Sequence, residues 1–492
     1  MGTSARRLTP GQGWVLVLTS VASLMVSLDT QVVATALPVI RVHLHASLAA
    51  LEWTVNAYTL SFAVLLLTGA ALGERLGRRR MLAVGTGLFT AASAACALAQ
   101  NVGALVAARA VQGAGAALML PLALALLSAA FPPERRAWAI GIFSSVTGIA
   151  VMLGPVVGGA VTQGIAWQWI FWLNVPIGVV MLPLIARRIP AASAGSRVGP
   201  GASGLDTPGL LLASGGALGL VWALIRANDV GWASPEIIGA LAGGVLLTAG
   251  FVAWELRAAD PMVPLRLFRS RAYAAGNAVA FLIFAMLLAL VFFMAQYLQT
   301  DLGYGPLGTG LRLLPGWATL TVIAPFAGTL IGRLGERRLT AGGLVVAAAG
   351  LLWVALIART GLPYWQLVAP LVVAGTGVSV AIPAAASAVM GSVPPAQIGK
   401  ASGTFNTLRQ LGGVFGVAIC AAVFAARGGY ASPAAFTDGF GPAIGACAGL
   451  GLAGAIAGLF LPRRRPASAT QTTLTTPGTT EPARSLATGS AH

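Results

Sequence analysis

The chain has 492 residues, 57% of them hydrophobic and only 9% charged, with a mean hydropathy of +0.84. A water-soluble domain carries about 25% charged residues to wet its surface, so a soluble body of this size is excluded and an all-α polytopic membrane protein is expected. A formal charge of +17 would ordinarily raise nucleic acid as a partner, but the placement of the charges along the chain argues for no nucleic acid.

Arg6 and Arg7 precede a first apolar run, 14–40, which contains Asp29 and is too long for the core of a cleavable signal peptide. It reads as a retained first helix. Further spans are expected at 50–72, 81–100, 104–128, 138–162 and 169–187, then at 208–226 and 237–256. The remainder fall at 273–298, 311–332, 341–359, 364–390, 402–425 and 440–462. Runs of about 20 apolar residues suffice to cross a bilayer as helix, and about fourteen such spans place both termini on one side. With the N-terminus inside, the inner segments hold Arg75, Arg78, Arg79, Arg80, Arg135, Arg136, Arg333, Arg337, Arg338, Lys400 and most of the other basic residues. Only Arg41, Arg226, Arg312, Arg359 and Arg427 fall outside, while Arg109 and Arg409 lie within spans. That bias predicts a multi-pass protein of a cell (inner) membrane with both termini cytoplasmic.

An internal repeat is legible. PPERRAWAIGIFSSVTGIAVMLG near residue 133 and PPAQIGKASGTFNTLRQLGGVFG near 395 align Gly141 with Gly403, Phe143 with Phe405 and Gly154 with Gly416 at one constant spacing. GERLGRRR (73–80) and GRLGERR (332–338) repeat at nearly the same spacing. The fold expected is two pseudo-symmetric six-helix bundles plus two inserted helices. Its parts are an N-terminal bundle 14–187, a cytoplasmic linker 188–205, an inserted pair 206–256, a C-terminal bundle 271–462 and a disordered cytoplasmic tail 463–492.

Charges inside a bilayer cost at least about 2.5–3.5 kcal/mol on insertion scales and need a partner, water or a function. Asp29, mid-span in VSLDTQVVATALP, is either a proton-coupling carboxyl or a structural one bonded to neighbouring helices. Arg109, in the fourth span, stays charged and must be paired, solvated or drawn to the outer interface; Asp29 is expected to be the only mid-span acid in the first half. Arg409, Asn406 and Gln410 in the thirteenth span line a wet cavity or act as packing contacts. Gly148, Gly154, Pro155, Gly158 and Gly159 give the fifth span tight packing and a bend, as a pivoting helix requires. Asp206 reads as a helix N-cap. Asn56, Tyr58, Gln112, Asn277, Gln296 and Tyr297 are further cavity candidates, the rotation of each helix deciding which face inward. Cys96, Cys420 and Cys447 lack metal-ligand spacing and read as small buried hydrophobes.

Several stretches together resemble the major facilitator superfamily, specifically its fourteen-helix drug:proton antiporters of the multidrug efflux type. LDTQVVATALP (28–38) resembles the first-helix motif, ALGERLGRRR (71–80) the cytoplasmic loop motif, RAVQG (109–113) the fourth-helix motif and GPVVGG (154–159) the antiporter motif of the fifth helix. WQWIFWLNVPIG (167–178), YLQTDLGYGPLGTGLRLLP (297–315) and GKASGTFNTLRQLGGVFGVAI (399–419) also resemble family stretches, so the likeness runs from about residue 28 to 419. It implies a central cavity, alternating access and proton-driven efflux, with Asp29 coupling protons and Arg109 assisting. It also implies an inner latch of Glu74, Arg75, Gly77 and Arg78, and an antiporter bend at Pro155 and its glycines. This chain departs from the pattern at Ala70, usually Gly, Glu74, usually Asp, and Gln168, commonly Arg.

The expected function is a proton-coupled secondary antiporter that exports small amphipathic or cationic compounds as a monomer. Its partners are the lipid bilayer, a small-molecule substrate and protons, and it takes no cofactor or metal beyond the proton gradient. No GxxxxGK[ST] run marks an ATP-driven pump. The alternatives are a dedicated exporter of one endogenous metabolite or antibiotic and, from a different class, a non-transporting membrane sensor. An enzyme is not expected, because no cluster of His, Cys, Asp or Glu stands at a membrane surface.

Overall fold

The computed structural model describes residues 8–190, 206–259, 261–394 and 397–462. Most of the expected linker and all of the expected tail, with Arg6, Arg7 and Arg197, lie outside the described residues. The helices are α1 (Pro10–His43), α2 (Leu48–Leu76), α3 (Arg78–Ala97), α4 (Val102–Ala130), α5 (Pro133–Gly164), α6 (Trp169–Trp172) and α7 (Asn174–Arg188). There follow α8 (Thr207–Val230), α9 (Pro235–Glu255), α10 (Arg271–Thr300), α11 (Pro306–Leu334), α12 (Glu336–Ile357), α13 (Trp365–Met390), α14 (Ile398–Arg427) and α15 (Pro433–Leu459). The sixth span is broken into α6 and α7 because Pro176 has no N–H to donate to the Trp172 carbonyl. Among the described residues 13 helices are long and apolar enough to cross a membrane, and Pro306–Leu334 is a further long helix of 29 residues.

Local chemistry sets the boundaries. Thr9, Ser47, Asn101, Asp206, Ser234, Ser270 and Ser432 cap helix N-termini with side-chain oxygens, satisfying amides that have no partner within the helix. Gly77 (φ +96°) separates α2 from α3, and Gly335 (φ +81°) separates α11 from α12. The two sit at matching places in the sequence repeat, so the same tight turn is built twice. Only glycine adopts that backbone without strain of about 1–3 kcal/mol. Gly77→Ala should therefore lower the thermal unfolding midpoint in detergent, and an unchanged midpoint would contradict this account.

Helix packing shows the pseudo-twofold. In the first half α1 packs on α5, α2 on α4, and α3 on α4 and α7; in the second α10 packs on α14, α11 on α13, and α12 on α13 and α15. The halves meet through α5 with α11 and α2 with α14, contacts that exchange under the same symmetry. The inserted hairpin α8–α9 attaches through α8, which lies across the seam between α2 and α14. There Trp222 packs on Trp53, with ring centroids 5.7 Å apart, and Asn228 Nδ2 donates to the Ala422 carbonyl at 2.6 Å.

The two ends of the molecule differ. At the arginine-poor end one buried cluster runs through both halves, joining Val33, Leu37 and Ile40 of α1 to Val291, Phe292 and Met294 of α10. At the arginine-rich end the described core is divided. One cluster, with Met25, Phe62, Met119 and Phe143, belongs to the first half, and another, with Tyr273, Val389 and Phe405, belongs to the second. The structure is closed at the arginine-poor end.

Candidate functional site

Five helices of the first half converge on Asp29. Arg109 Nη1 lies 2.5 Å from Asp29 Oδ2, and the two side chains are each 1% exposed. Asp29 Oδ1 accepts from Gln112 Nε2 at 2.8 Å and from Asn174 Nδ2 at 3.1 Å. Arg109 also donates to Gln112 Oε1 at 2.7 Å and, through Nε, to the Thr54 carbonyl at 3.2 Å. Gln112 Nε2 reaches Ser93 Oγ at 2.8 Å. The Arg109 guanidinium lies 4.1 Å from the Tyr58 ring centroid. Arg109 and Gln112 stand three residues apart, so α4 presents both on one face. Burying an ion pair costs several kcal/mol per charge in desolvation, which is offset only when the remaining polar atoms are also bonded; here Gln112, Asn174 and the Thr54 carbonyl supply those bonds.

Of the two fates open to Arg109, the structure adopts pairing with Asp29 rather than extension to the interface. Sequence reasoning missed Asn174 and Ser93. The signal for Asn174 was present, since WLNVP places an amide inside an apolar run. It also passed over Glu52, which lies inside the expected span 50–72 and is 2% exposed, so Asp29 is not the lone buried acid of the first half.

Beside this network lies a cleft between the halves. Thr30, Val33, Val55 and Thr59 form one wall, Leu288 and Val291 of α10 the other, and Arg109 reaches it. The glycines of α5 let that helix pack closely on α1 and α11. A Cβ at Gly154 would meet Gln31 of α1, and one at Gly158 would meet Thr35 Oγ1 and Val32 of α1. At the crossing of α5 and α11 a Cβ at Gly159 would strike the Pro306 carbonyl, and one at Gly310 the Pro155 carbonyl. Gly148 faces open space. The latch residues make their described contacts within the first half. Arg78 and Glu74 form an exposed pair at 4.0 Å one turn apart, and Gly77 supplies the turn between them. Arg75 is exposed.

A sequence model described as Major Facilitator Superfamily matches residues 19–417. The chain is 35% identical over 437 residues to the tetracenomycin C resistance and export protein of Streptomyces glaucescens, covering 88% of this chain and 80% of that one. It is 34% identical over 412 residues to the multidrug resistance protein Stp of Mycobacterium tuberculosis, covering 84% and 75%. The chain belongs to the major facilitator superfamily. Its fold is like that of a bacterial homologue of the human lysosomal transporter Spinster in an inward-facing, unoccupied conformation, with TM-score 0.65, 16% identity and coverage of 92% and 97%. An auto-inhibited POT family peptide transporter matches with TM-score 0.66, 15% identity and coverage of 94% and 99%.

Within this superfamily fold the cavity candidates separate. Tyr58 and Gln112 belong to the Asp29 network, with the Tyr58 hydroxyl 3.4 Å from the Val26 carbonyl. Tyr297 is packed inside the second half, stacked on Phe440 at 4.2 Å with its hydroxyl donating to the Arg359 carbonyl at 2.7 Å. Asn277 is fully buried and donates to the Tyr273 carbonyl of its own helix at 2.8 Å. Gln296, also fully buried, accepts from the Tyr430 hydroxyl. Asn56 is fully buried with both amide atoms unbonded. Asn406, Arg409 and Gln410 are half-buried. Asn406 donates to the Ser402 carbonyl at 2.9 Å, whereas Arg409 has an unbonded Nε and lies 4.5 Å from the Phe284 ring centroid. The second half also holds a cavity of about 60 Å³ walled by Met286, Leu290, Met294, Trp317, Leu371 and Val378, with Ser379 on its lining. Sequence reasoning named none of these cavity residues, because in a chain this apolar a pocket wall and a packing face have the same composition.

Proposed function

We infer that the chain is a proton-coupled secondary antiporter that exports small, largely apolar molecules by alternating access. The observation that carries this is Asp29, a buried carboxylate whose ion-pair partner among the described residues, Arg109, also borders the cleft between the halves. A proton arriving at Asp29 would release Arg109, and the ion pair would re-form when the proton leaves. Charge change is thereby tied to the surface on which the halves move. Arginine-rich loops belong on the cytoplasmic side by the positive-inside rule, so both termini are assigned to the cytoplasm of a cell (inner) membrane. The end closed here then faces outward and the cargo space opens inward. The six-helix divisions at 14–187 and 271–462, with 206–256 inserted, are taken as the moving units, in a monomer driven by the proton gradient alone. The latch Glu74, Arg75, Gly77 and Arg78 would engage across the halves when the inner end shuts.

For cargo, the second reading, a dedicated exporter of one metabolite or antibiotic, is favoured by a specific observation. Asp29 is neutralised by Arg109, and Arg409 is a cation without an acid partner among the described residues, so no described group in the middle of the membrane attracts a positively charged drug. Relatives named for export of a single compound, tetracenomycin C and cephamycin, point the same way. The test is the purified protein in liposomes under a pH gradient, with a cationic and a neutral aromatic dye, for wild type and Asp29→Asn. Gradient-driven movement of the neutral dye in wild type, lost in Asp29→Asn, is the expected result, and a wild type that moves neither dye points to the dedicated exporter. Gradient-driven movement that survives in the variant would remove Asp29 from the coupling role.

A further inference from the structure

Glu52 stands on the second turn of α2 at the closed end, 2% exposed, and among the described residues it makes no hydrogen bond or ion pair. Its Oε2 is buried and unbonded. Asn56, one turn further along the same helix face, is fully buried with both Oδ1 and Nδ2 unbonded. These two polar side chains stand unsatisfied on one helix face, and a buried amide or carboxyl without a partner costs about 1–3 kcal/mol and a charged one far more.

Their surroundings belong to both halves. Tyr430, on the loop between α14 and α15, donates to Gln296 of α10 and lies under the Arg41 guanidinium of α1, 3.7 Å from its ring centroid. Burial pushes the Tyr430 phenol up, Arg41 beside it works against that, and Glu52 adds to it. Glu52 thus lies where the first half meets the Tyr430–Gln296 pair of the second. The other charged groups on elements packed around α2 do not neutralise it. Asp229, at the exposed end of α8, has the same sign. Arg226 is held by Glu236 at 3.0 Å, Arg427 is exposed, and Arg109 is taken by Asp29. Arg41 makes no ion pair with Glu52.

We propose that Glu52, with Asn56 beside it, is a second proton-binding site, filled when the arginine-poor end closes. Closing that end encloses Glu52 without a counter-charge, and the neutral acid tolerates this far better than the carboxylate. Closure therefore takes up one proton at Glu52, and opening hydrates the group and lets the proton go. Acid favours the closed end and alkali opens it. The proposal rests on the antiport reading for its place in the transport cycle, since a proton entering from the arginine-poor side would meet Glu52 before Asp29.

The test reads the gate itself rather than transport. Full-length protein in nanodiscs carries spin labels at V42C and T360C, exposed positions on the arginine-poor face of the first and second halves. Their separation is followed from about pH 5 to about pH 9. In wild type the closed-to-open ratio should fall at least about tenfold across that range, as expected where the closed state holds the proton well above the ordinary glutamate range. Glu52→Gln matches the neutral acid in shape and is expected to fold. It should remain closed throughout, changing less than about twofold, while Asp29→Asn should keep the wild-type response. A pH response that survives in Glu52→Gln, or that disappears in Asp29→Asn, overturns the proposal. If the gate responds through Glu52 while the liposome assay shows no proton-driven exchange, the antiport reading fails and the proton site stands.

Discussion

Asp29→Ala is expected to destabilise the protein by about 3–5 kcal/mol, the cost of leaving one member of a buried ion pair uncompensated. Arg109 is 1% exposed and pairs with Asp29, so among the described residues the truncation leaves its guanidinium the Thr54 carbonyl and Gln112 Oε1 to donate to. Asp29→Asn should cost less because the amide oxygen still faces Arg109. The combined change Asp29→Asn with Arg109→Gln should recover most of the loss, since neutral groups of similar shape replace a buried pair at little cost. Chemical unfolding in detergent of the four proteins closes a double-mutant cycle. Strong coupling between the positions is the expected outcome, and additive losses would show that the pair contributes nothing beyond its separate bonds. Proton-driven export should stay absent in the double variant even where stability returns. That separates the structural role from the coupling role: recovery of both together would leave Asp29 a structural residue only.

Gly159→Leu should hold the arginine-poor end open. The α5–α11 crossing brings the backbone of Gly159 against Pro306 and the backbone of Gly310 against Pro155, leaving no space for a side chain on either helix. Overpacking of this kind costs about 1–3 kcal/mol when structure must shift to relieve it. Here the relief available is separation of the halves, because the rest of the contact is backbone. A bias of that size changes the closed-to-open ratio by roughly 5- to 150-fold. Leu37 is fully buried and lines the cleft between the halves. A cysteine at that position should resist an impermeant thiol reagent in the otherwise wild-type protein and react readily in the Gly159→Leu background. Export should fall by at least about tenfold, since a transporter fixed in one state cannot alternate. Equal thiol protection in both backgrounds would mean that the α5–α11 crossing does not govern closure.

Two kinds of information separate cleanly here. Helix positions, the turns and the internal repeat were legible from the chain alone, because each depends on local chemistry. A bilayer demands about 20 apolar residues with every backbone group bonded within the helix. Ser47 and Asn101 mark where such helices begin, and Gly77 and Gly335 where two of them turn. Asp29 and Arg109 were conspicuous for the same reason, since a charge inside an apolar run stands out without knowledge of its neighbours. Glu52 was equally visible in sequence but sits close to a helix start, where an acid ordinarily meets water.

Tertiary structure alone decided which polar groups meet. It turned Tyr297 into the second half's packing, drew Asn174 onto Asp29, left Glu52 and Asn56 without partners, and joined the halves at one end. Helix rotation and tilt are set by side-chain shape and close contacts between helices, not by hydropathy, because lipid is as apolar as the helix faces it replaces. That information is distributed across residues far apart in the chain, such as Gly159 with Pro306 and Pro155 with Gly310, and it becomes readable only when the helices are assembled.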